Sequence, residues 1–380
     1  MATGFSLKDQ LFNSEKVGYL ADLFAAADGG FAANRFQTQV MERLPELELK
    51  QRISWIAECL GAQIPGPLHD LAPVLLAALP PPLDPSRTDD DFGDFIFAPL
   101  GELVATRGLE TPDLALNLLA EITQRFSMEW AIRPFLNRWP DLVLERMADW
   151  VDHDSYHVRR LVSEGTRPRL PWGQGIALEI TAPLPLLDRL HGDTTRYVTR
   201  SVANHMNDIS KRVPELAMDR LDGWAEQGRQ ERAELDWMTR HALRGLIKAG
   251  DPRAMVMLGY DPDAGIDVDE FRLPRKIAIG EVLTVSARLR ATQDCGALVD
   301  YILWRRKANG GLTAKVFKLK QVQLRVGQTV ELTKSHRLRG DATTFRLYPG
   351  AHKVELQVNG RVRAEAWFDL GADQTRNTRN

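Results

Sequence analysis

The stretch "VRRLV" at residues 158–162 returns as "VTRSV" at 198–202 and as "MTRHA" at 238–242. Arg160, Arg200 and Arg240 are therefore separated by steps of 40 residues. A longer amphipathic segment precedes each of them, such as "WPDLVLERMADWVDHD" before the first. A period of about 40 residues with two helices per unit is typical of HEAT-like repeats. The repeat therefore predicts an α-solenoid of stacked helix pairs.

The helical pattern extends over residues 1–265. Apolar residues recur at helical spacing in segments such as "VGYLADLFAAA" and "LALNLLAEITQRF". Between the early helices, "ALPPPLDPSRTDDDFGDF" at 78–95 is rich in proline and aspartate, which predicts a long surface loop. We expect a single HEAT-like domain over 1–265, which contains most of the candidate functional residues named below.

From about residue 271 the pattern changes to the period of two that is typical of strands. The predicted strands are "EVLTVSARLRA", "LVDYILWRRK", "TAKVFKLKQVQL", "QTVELTKSHRLR", "TFRLYP" and the two halves of "AHKVELQVNGRVRAEAWFDL". "NG" at 359–360 and "ANGG" at 308–311 predict hairpin turns. About seven strands in 271–370 predict an immunoglobulin-like β-sandwich. Residues 259–274 are the predicted linker.

Charge is distributed unevenly between these two regions. The whole chain has a net charge of −2, but residues 271–370 contain 19 Lys and Arg against 8 Asp and Glu. Residues 1–270 contain 28 Lys and Arg against 42 Asp and Glu. A basic module joined to an acidic one indicates that the basic module binds an anionic partner, and nucleic acid is the first candidate. Segregation of charge for solubility is the alternative.

Several classes of protein are disfavoured by the sequence. No apolar run approaches the roughly 18–20 residues that span a bilayer, and the N-terminus does not resemble a secretion signal. Cys59 and Cys295, the two cysteines, lie far apart and suit a reducing compartment. No spacing of Cys and His and no glycine-rich loop indicates a metal or a nucleotide cofactor. We expect a cytoplasmic monomer without cofactor, associated with the nucleoid when bound to DNA.

The repeated arginines form a set with their neighbours on the same helix faces. Glu164, Asn204 and Arg244 follow them by four residues, and Arg167, Asn207 and Lys248 follow about one turn later. A polar face repeated in register predicts a surface that binds a polyanion. The alternative is a series of local pairs such as Arg160–Glu164, each worth only a few tenths of a kcal/mol.

Four stretches resemble one family: "FSMEWAIRPFL" at 126–136, "HVRRLVSEGTRPRLPW" at 157–172, "SVANHMNDISK" at 201–211 and "RHALRGLIKAG" at 240–250. They look like the AlkC branch of the alkylbase DNA glycosylases, which is similar to the AlkD-type enzymes. The resemblance implies hydrolysis of the N-glycosidic bond of 3-methyladenine, 3-methylcytosine and 1-methyladenine in double-stranded DNA. It also implies that the damaged base stays in the duplex, and it fits a C-terminal immunoglobulin-like domain.

At several positions this sequence has other residues than the site residues of the AlkD-type enzymes. Shifting the repeat onto the preceding helix places Glu121 where AlkD-type enzymes have a tryptophan beside the lesion sugar, and Arg125 where they have an aspartate. A second tryptophan of those enzymes corresponds to Asn204. Glu121 is therefore the first candidate for the catalytic carboxylate. Glu164 is the second and Asp208, which alternatively pairs with Arg212, is the third.

The remaining candidates are expected to bind DNA, chiefly through phosphates, which set register without reading sequence. They are Arg125, Arg159, Arg160, Arg167, Arg169, Trp172, Arg200, Asn204, Asn207, Lys211, Arg240, Arg244 and Lys248 in the helical region, and Arg305 and Arg306 in the sandwich. Trp172 is predicted either to wedge against the DNA or to close its own loop, and Trp130 to lie in the core. The competing class of function is a non-catalytic scaffold that binds DNA or a protein.

Overall fold

The computed structural model describes residues 6–87, 92–171, 173–342 and 344–372. The chain forms two compact units that divide between Ala242 and Leu243. The first is a HEAT-like array of helices and the second contains an immunoglobulin-like sandwich, so the predicted fold class is confirmed. None of the described helices is both long and apolar enough to cross a membrane.

The first unit is built of α-helices with two short 3₁₀ turns at Leu44–Glu46 and Phe95–Phe97. Within its described residues the helices are α1 Leu7–Leu11, α2 Ser14–Ala27, α3 Ala33–Arg43, α4 Leu49–Gln63, α5 Leu68–Ala77, α6 Ala98–Gly108, α7 Pro112–Thr123, α8 Arg133–Arg138, α9 Pro140–Trp150, α10 Tyr156–Gly165, α11 Leu184–Leu190, α12 Arg196–Ser210, α13 Pro214–Gln227 and α14 Arg232–Ala242.

The 40-residue repeat corresponds to three helix pairs, α9–α10, α11–α12 and α13–α14. The second helices of the pairs lie side by side, with α7 next to α10, α10 next to α12 and α12 next to α14. The repeated apolar positions point into the core: Val158, Val198 and Met238 are fully buried, as are Val162, Val202 and Ala242 four residues later. Apolar residues at i and i+4 therefore fix the rotation of each helix, which turns the intervening polar positions away from the core.

The second unit begins with two short helices, α15 Arg244–Ala249 and α16 Pro252–Met257, and continues as eight strands. The strands are β1 Ile266–Arg272, β2 Lys276–Ala278, β3 Val282–Ala291, β4 Cys295–Arg306, β5 Leu312–Leu324, β6 Thr329–Arg337, β7 Gly350–Val358 and β8 Arg361–Gly371. One sheet has the order β1-β3-β6 and the other β2-β8-β7-β4-β5. All neighbours are antiparallel except β2 and β8. Apolar side chains between the two sheets form the core.

Two parts of the strand prediction are wrong. The predicted linker contains β1, whose residues pair with β3 from Ile266 to Arg272. Conversely, "TFRLYP" at 344–349 forms no strand in its described residues. Its alternation arises because Leu347 is buried in the core and Phe345 packs against it. Pro349 lacks the N–H that a strand partner would need.

The helices α15 and α16 belong to the second unit, although the sequence suggested a helical domain up to residue 265. The end of α15 touches the β7–β8 turn: a Cβ on Gly250 would lie 2.2 Å from the carbonyl oxygen of Gly360. Both glycines have positive φ, at +78° and +80°. Only glycine permits this backbone contact, because any side chain would collide with the opposite carbonyl.

The "NG" turn at 359–360 is confirmed as the two-residue connection between β7 and β8. Asn359 has a φ of 47° and is buried. Its side chain accepts a hydrogen bond from the amide of Leu298 (2.8 Å) and donates to the carbonyls of Asp261 and Gly296 (both 2.9 Å). This one amide therefore joins the turn to β4 and to the segment before β1.

We expect Asn359→Ala to lower the free energy of unfolding by about 2–4 kcal/mol, because three buried hydrogen bonds are lost and alanine resists the left-handed conformation. Asn359→Gly should lose the same bonds without the backbone strain, so its loss should be smaller than that of the alanine variant. Urea denaturation followed by circular dichroism measures both. Equal stability of the wild type and both variants would contradict this role.

Candidate active site

Five charged side chains form a buried network across α10 and α12, called here the charge network. Arg160 pairs with Glu129 (2.7 Å) and with Glu164 (3.6 Å). Arg167 pairs with the other oxygen of Glu164 (2.5 Å) and with Asp208 (2.9 Å). The side chains are 6% to 20% exposed. Each arginine thus bridges two carboxylates.

Different elements supply the members of the charge network. Arg160 and Glu164 lie one turn apart on α10, Arg167 follows its end, and Asp208 lies on α12. Glu129 comes from the irregular segment between α7 and α8. Ser127 in the same segment donates to Glu129 (2.9 Å) and accepts from Arg160 (2.8 Å). Ser201 and Glu164 are joined across the helices by a 2.6 Å hydrogen bond.

The network favours the charged forms of Arg160, Glu164 and Arg167. Burial acts to raise the pKa of Glu164, but Arg160 and Arg167 outweigh it and hold that pKa below its ordinary value. Burial likewise acts to lower the pKa of Arg160 and of Arg167, yet the neighbouring carboxylates raise both. The five side chains are three carboxylates and two guanidinium groups, and Lys211 lies 3.5 Å from Asp208, so the formal charges balance.

A cavity of about 620 Å³ opens beside Glu129 and Arg160. Five aromatic side chains lie on its wall, and the ring centres of Phe95 and Phe126 are 4.8 Å apart. Arg160 stacks over the ring of Tyr197, with 4.5 Å from its guanidinium carbon to the ring centre. The lining residues are Leu7, Leu11, Leu49, Lys50, Ile53, Ser54, Phe92, Phe95, Glu102, Phe126, Ser127, Glu129, Trp130, Arg160 and Tyr197.

The loop after α10 is held in place by Arg133, which is fully buried at the start of α8. Its guanidinium donates to the carbonyls of Gly165 and Arg167 (both 3.0 Å) and to that of Gln174. Burial is the largest cause of its lowered pKa. Because these carbonyls bracket the loop, Arg133 fixes the position from which Arg167 reaches Glu164 and Asp208.

Known proteins match both units of this chain. The family model described as "Uncharacterised protein YhaZ, C-terminal Ig-like domain" matches residues 267–372. The uncharacterized protein YhaZ of Bacillus subtilis (strain 168) is 31% identical over 366 residues, which are 95% of this chain and 98% of that protein. The solved structure of Pseudomonas fluorescens alkylpurine DNA glycosylase AlkC, bound to DNA containing an abasic site analog, superposes with a TM-score of 0.85. It is 33% identical and covers 97% of this chain and 100% of that one. The chain belongs to the AlkC-type family.

In this AlkC-type protein the predicted carboxylates occupy different environments. The side chain of Glu121, at the end of α7, is 48% exposed and pairs with Arg125 (3.3 Å). Glu164 is buried and already binds two arginines and a serine. Asp208 pairs with Arg167 and, at 3.5 Å, with Lys211, so the expected partner Arg212 is wrong. Neither Glu121 nor Glu164 lines the cavity.

Five predicted DNA contacts are occupied by intramolecular bonds, among them Arg160, which pairs with Glu129 and Glu164. Arg125 donates to the carbonyl of Pro80 (2.7 Å), and Arg159 pairs with Asp193 (2.6 Å). Asn207 is 1% exposed and donates to the carbonyl of Ala242. Arg167 belongs to the charge network. These side chains stabilise the repeat interfaces, and a role as phosphate ligands would require breaking those bonds.

Other predicted residues remain accessible. Arg169, Lys211 and Arg240 are exposed, and Arg200 lies over the rings of Phe92 and Tyr197 at 5.9 and 5.8 Å. Asn204 contacts Nε2 of His241 through its amide oxygen (2.8 Å). The residues of the second unit are placed as follows: Arg244 and Lys248 lie on α15, Arg305 lies over the ring of Phe345 (4.4 Å), and Arg306 ends β4. Trp172 lies outside the described residues.

The sequence prediction missed Glu129 and misplaced Trp130. Glu129 is the carboxylate that both lines the cavity and pairs with a repeated arginine. Trp130, predicted to lie in the core, is partly exposed on the cavity wall. Both residues stand inside "FSMEWAIRPFL", one of the stretches that carried the resemblance. They escaped notice because the repeat pattern selects helix positions only, and this segment is not helical.

We expect Glu164→Gln to lower the free energy of unfolding at pH 7 by about 3–5 kcal/mol, because two buried arginines lose a charged partner. The pKa of Glu164 is lowered by folding, so its stabilisation is complete above the ordinary value of about 4.3 and is lost as the pH falls through the lower folded pKa. The deficit of the variant should therefore shrink below about pH 4. Denaturant unfolding across pH 3–8 measures it. Exposed Glu121→Gln is the matched control and should change stability by less than about 0.5 kcal/mol.

Proposed function

We propose that this protein is an alkylbase DNA glycosylase that hydrolyses the N-glycosidic bond of cationic alkylated bases in duplex DNA. The observation that carries the proposal is the position of Glu129, a carboxylate held by Arg160 and Ser127 at the edge of an aromatic cavity. The full-length similarity to an alkylpurine DNA glycosylase supports it. The substrates that we propose are 3-methyladenine, 3-methylcytosine and 1-methyladenine, each left stacked in the duplex during excision.

Cationic alkylated bases are good leaving groups, so the enzyme does not need to protonate them. A base alkylated at a ring nitrogen carries a positive charge, and it becomes neutral when it leaves with the electron pair of the N-glycosidic bond. The charge then develops on the deoxyribose, whose C1′ is attacked by water while a proton passes to solvent. A carboxylate near the sugar stabilises this oxocarbenium-like state, as in glycoside hydrolysis. At 4 Å and an effective dielectric near 20 the attraction is about 4 kcal/mol, or roughly a thousandfold in rate.

Glu129 suits this role better than the two carboxylates predicted first. A carboxylate that stabilises the sugar must be accessible to the DNA and must be held in a fixed position. The side chain of Glu129 is 20% exposed, and Arg160 and Ser127 hold its carboxylate. Glu164 is nearly inaccessible, so we propose that it positions Arg160. Glu121 is reachable but exposed to solvent, where screening weakens its attraction for a cation.

The accessible arginines give the DNA contacts. We propose that Arg200 and Arg240, which share one repeat position on α12 and α14, bind phosphates beside the lesion, with Arg169 and Lys211 at the ends of their elements. Arg305 and Arg306 are the proposed contacts of the basic sandwich. Such contacts neutralise phosphates and set the register of the duplex, without reading bases.

We expect Glu129→Gln to reduce release of 3-methyladenine from methylated duplex DNA by about a hundredfold or more, with DNA affinity changed by less than threefold. Glutamine keeps the shape and loses the charge that faces the sugar. Single-turnover base release, measured by chromatography, and fluorescence anisotropy with an abasic-site duplex are the two measurements. Glu121→Gln is the matched control and should retain most of the rate.

A normal rate in Glu129→Gln together with a strong loss in Glu121→Gln would transfer the role to Glu121. Absence of base release from the wild type would reject the glycosylase proposal. It would leave a DNA-binding scaffold as the function if the anisotropy titration still saturates.

We expect Arg240→Ala to weaken DNA binding and to reduce the slope of log K against log salt by about 0.9, the value for one phosphate contact. Arg159→Ala is the matched control. Because Arg159 pairs with Asp193 within the protein, this variant should have lower thermal stability and an unchanged salt slope. Anisotropy titrations between 50 and 200 mM salt give both slopes. An unchanged slope in Arg240→Ala would remove this residue from the DNA interface.

A further inference from the structure

The cavity beside Glu129 has walls that the proposed DNA contacts do not use. Nine of its fifteen lining residues are apolar or aromatic, and five of these are the rings of Phe92, Phe95, Phe126, Trp130 and Tyr197, while Lys50 and Arg160 are the cationic groups on the wall. Aliphatic side chains of α1 and α4 also line it. A volume of about 620 Å³ lies within the range of small-molecule sites. The lining therefore suits a flat, largely apolar molecule better than a sugar–phosphate chain.

The polar groups of the cavity narrow the class of ligand. Glu129 stands at one side, and Glu102 stands elsewhere on the wall with Ser54 at 3.5 Å from its carboxylate. Carboxylates accept hydrogen bonds from amino groups and from ring N–H groups. Aromatic rings stack on the faces of nucleobases without regard to sequence. Rings together with acceptors at the edge are the complement of a purine that carries an exocyclic amino group.

Glu129 connects this cavity to the reaction. Because the proposed function puts Glu129 opposite the deoxyribose, the bond that breaks lies beside this cavity, and the freed base is the planar molecule released there. The base is neutral once it has left, so it enters the cavity without the desolvation cost that a charged molecule carries.

We propose that this cavity is a product site, which takes up the free methylated purine after the N-glycosidic bond has broken. The inference rests on the proposed function, because it requires a glycosylase reaction at Glu129. Trp130 and Phe126, whose ring centres are 5.9 Å apart, supply the stacking surface. The edge of the purine lies towards Glu102 and Ser54. Uptake of the base removes it from the reaction site before the abasic DNA is released.

Equilibrium dialysis of the full chain with free 3-methyladenine, in the absence of DNA, tests the product site. We expect saturable binding of one molecule per chain. Trp130→Leu should weaken it about tenfold or more, because one stacking face is lost. Ser54→Phe should do the same by filling the cavity, which keeps the test decisive if Trp130→Leu fails to fold. Trp367→Leu, which removes an exposed indole of the second unit, is the matched control and should bind normally.

Binding that is absent, or that is equal in all of these proteins, would overturn the product site. So would saturable binding of 2-deoxyribose 5-phosphate at the same place, shown by competition with 3-methyladenine, because that molecule has no aromatic face. Base release from methylated DNA, measured on the same preparation, separates the two proposals. Normal release without base binding rejects the product site alone, whereas absent release rejects the glycosylase function itself.

Discussion

Charge balance inside the helical unit is the constraint on which the candidate site depends. Glu129, Arg160, Glu164, Arg167 and Asp208 are largely withdrawn from water, and each is tolerable there only because the next one compensates it. The network joins α10 to α12 and to the segment before α8. Neighbouring repeats are therefore held at one spacing by polar bonds as well as by their apolar core. A site assembled in this way is rigid before any ligand arrives, which is what stabilisation of a transient charge requires.

The same residues show how far a sequence pattern can predict a site. Arg160 was found because it recurs at steps of 40, and Glu164 because it lies one helical turn further on. Periodicity describes what the helices have in common, and it therefore indicates Glu121, which is also a helix position. Glu129 belongs to a segment without period, and its proximity to Arg160 is a tertiary fact. The burial of Asn207 and the pairing of Arg159 with Asp193 escaped prediction for the same reason.

The sandwich illustrates a different limit. Burial alternates along β3, whereas β4 and β7 each contain five consecutive buried residues, and the turn at Asn359 is evident from its two residues. An alternation of apolar and polar residues with a period of two shows only which side chains face inward. It therefore counted "TFRLYP", which sends Phe345 and Leu347 towards the core without pairing as a strand, and it missed β1 among the aspartates of 259–274. Hydrogen-bond pairing between strands separated in the sequence is not encoded in local alternation.

The contact of Gly250 with Gly360 has a consequence for the modularity of this protein. The two backbones approach so closely that neither position admits any other amino acid without a rearrangement of the other. A recombination junction placed after α16 would separate this pair and leave each half with an uncovered glycine, although secondary structure makes that junction look natural. Exchange of the sandwich between related chains is thus confined to breakpoints upstream of α15, and the two short helices are inherited together with the strands.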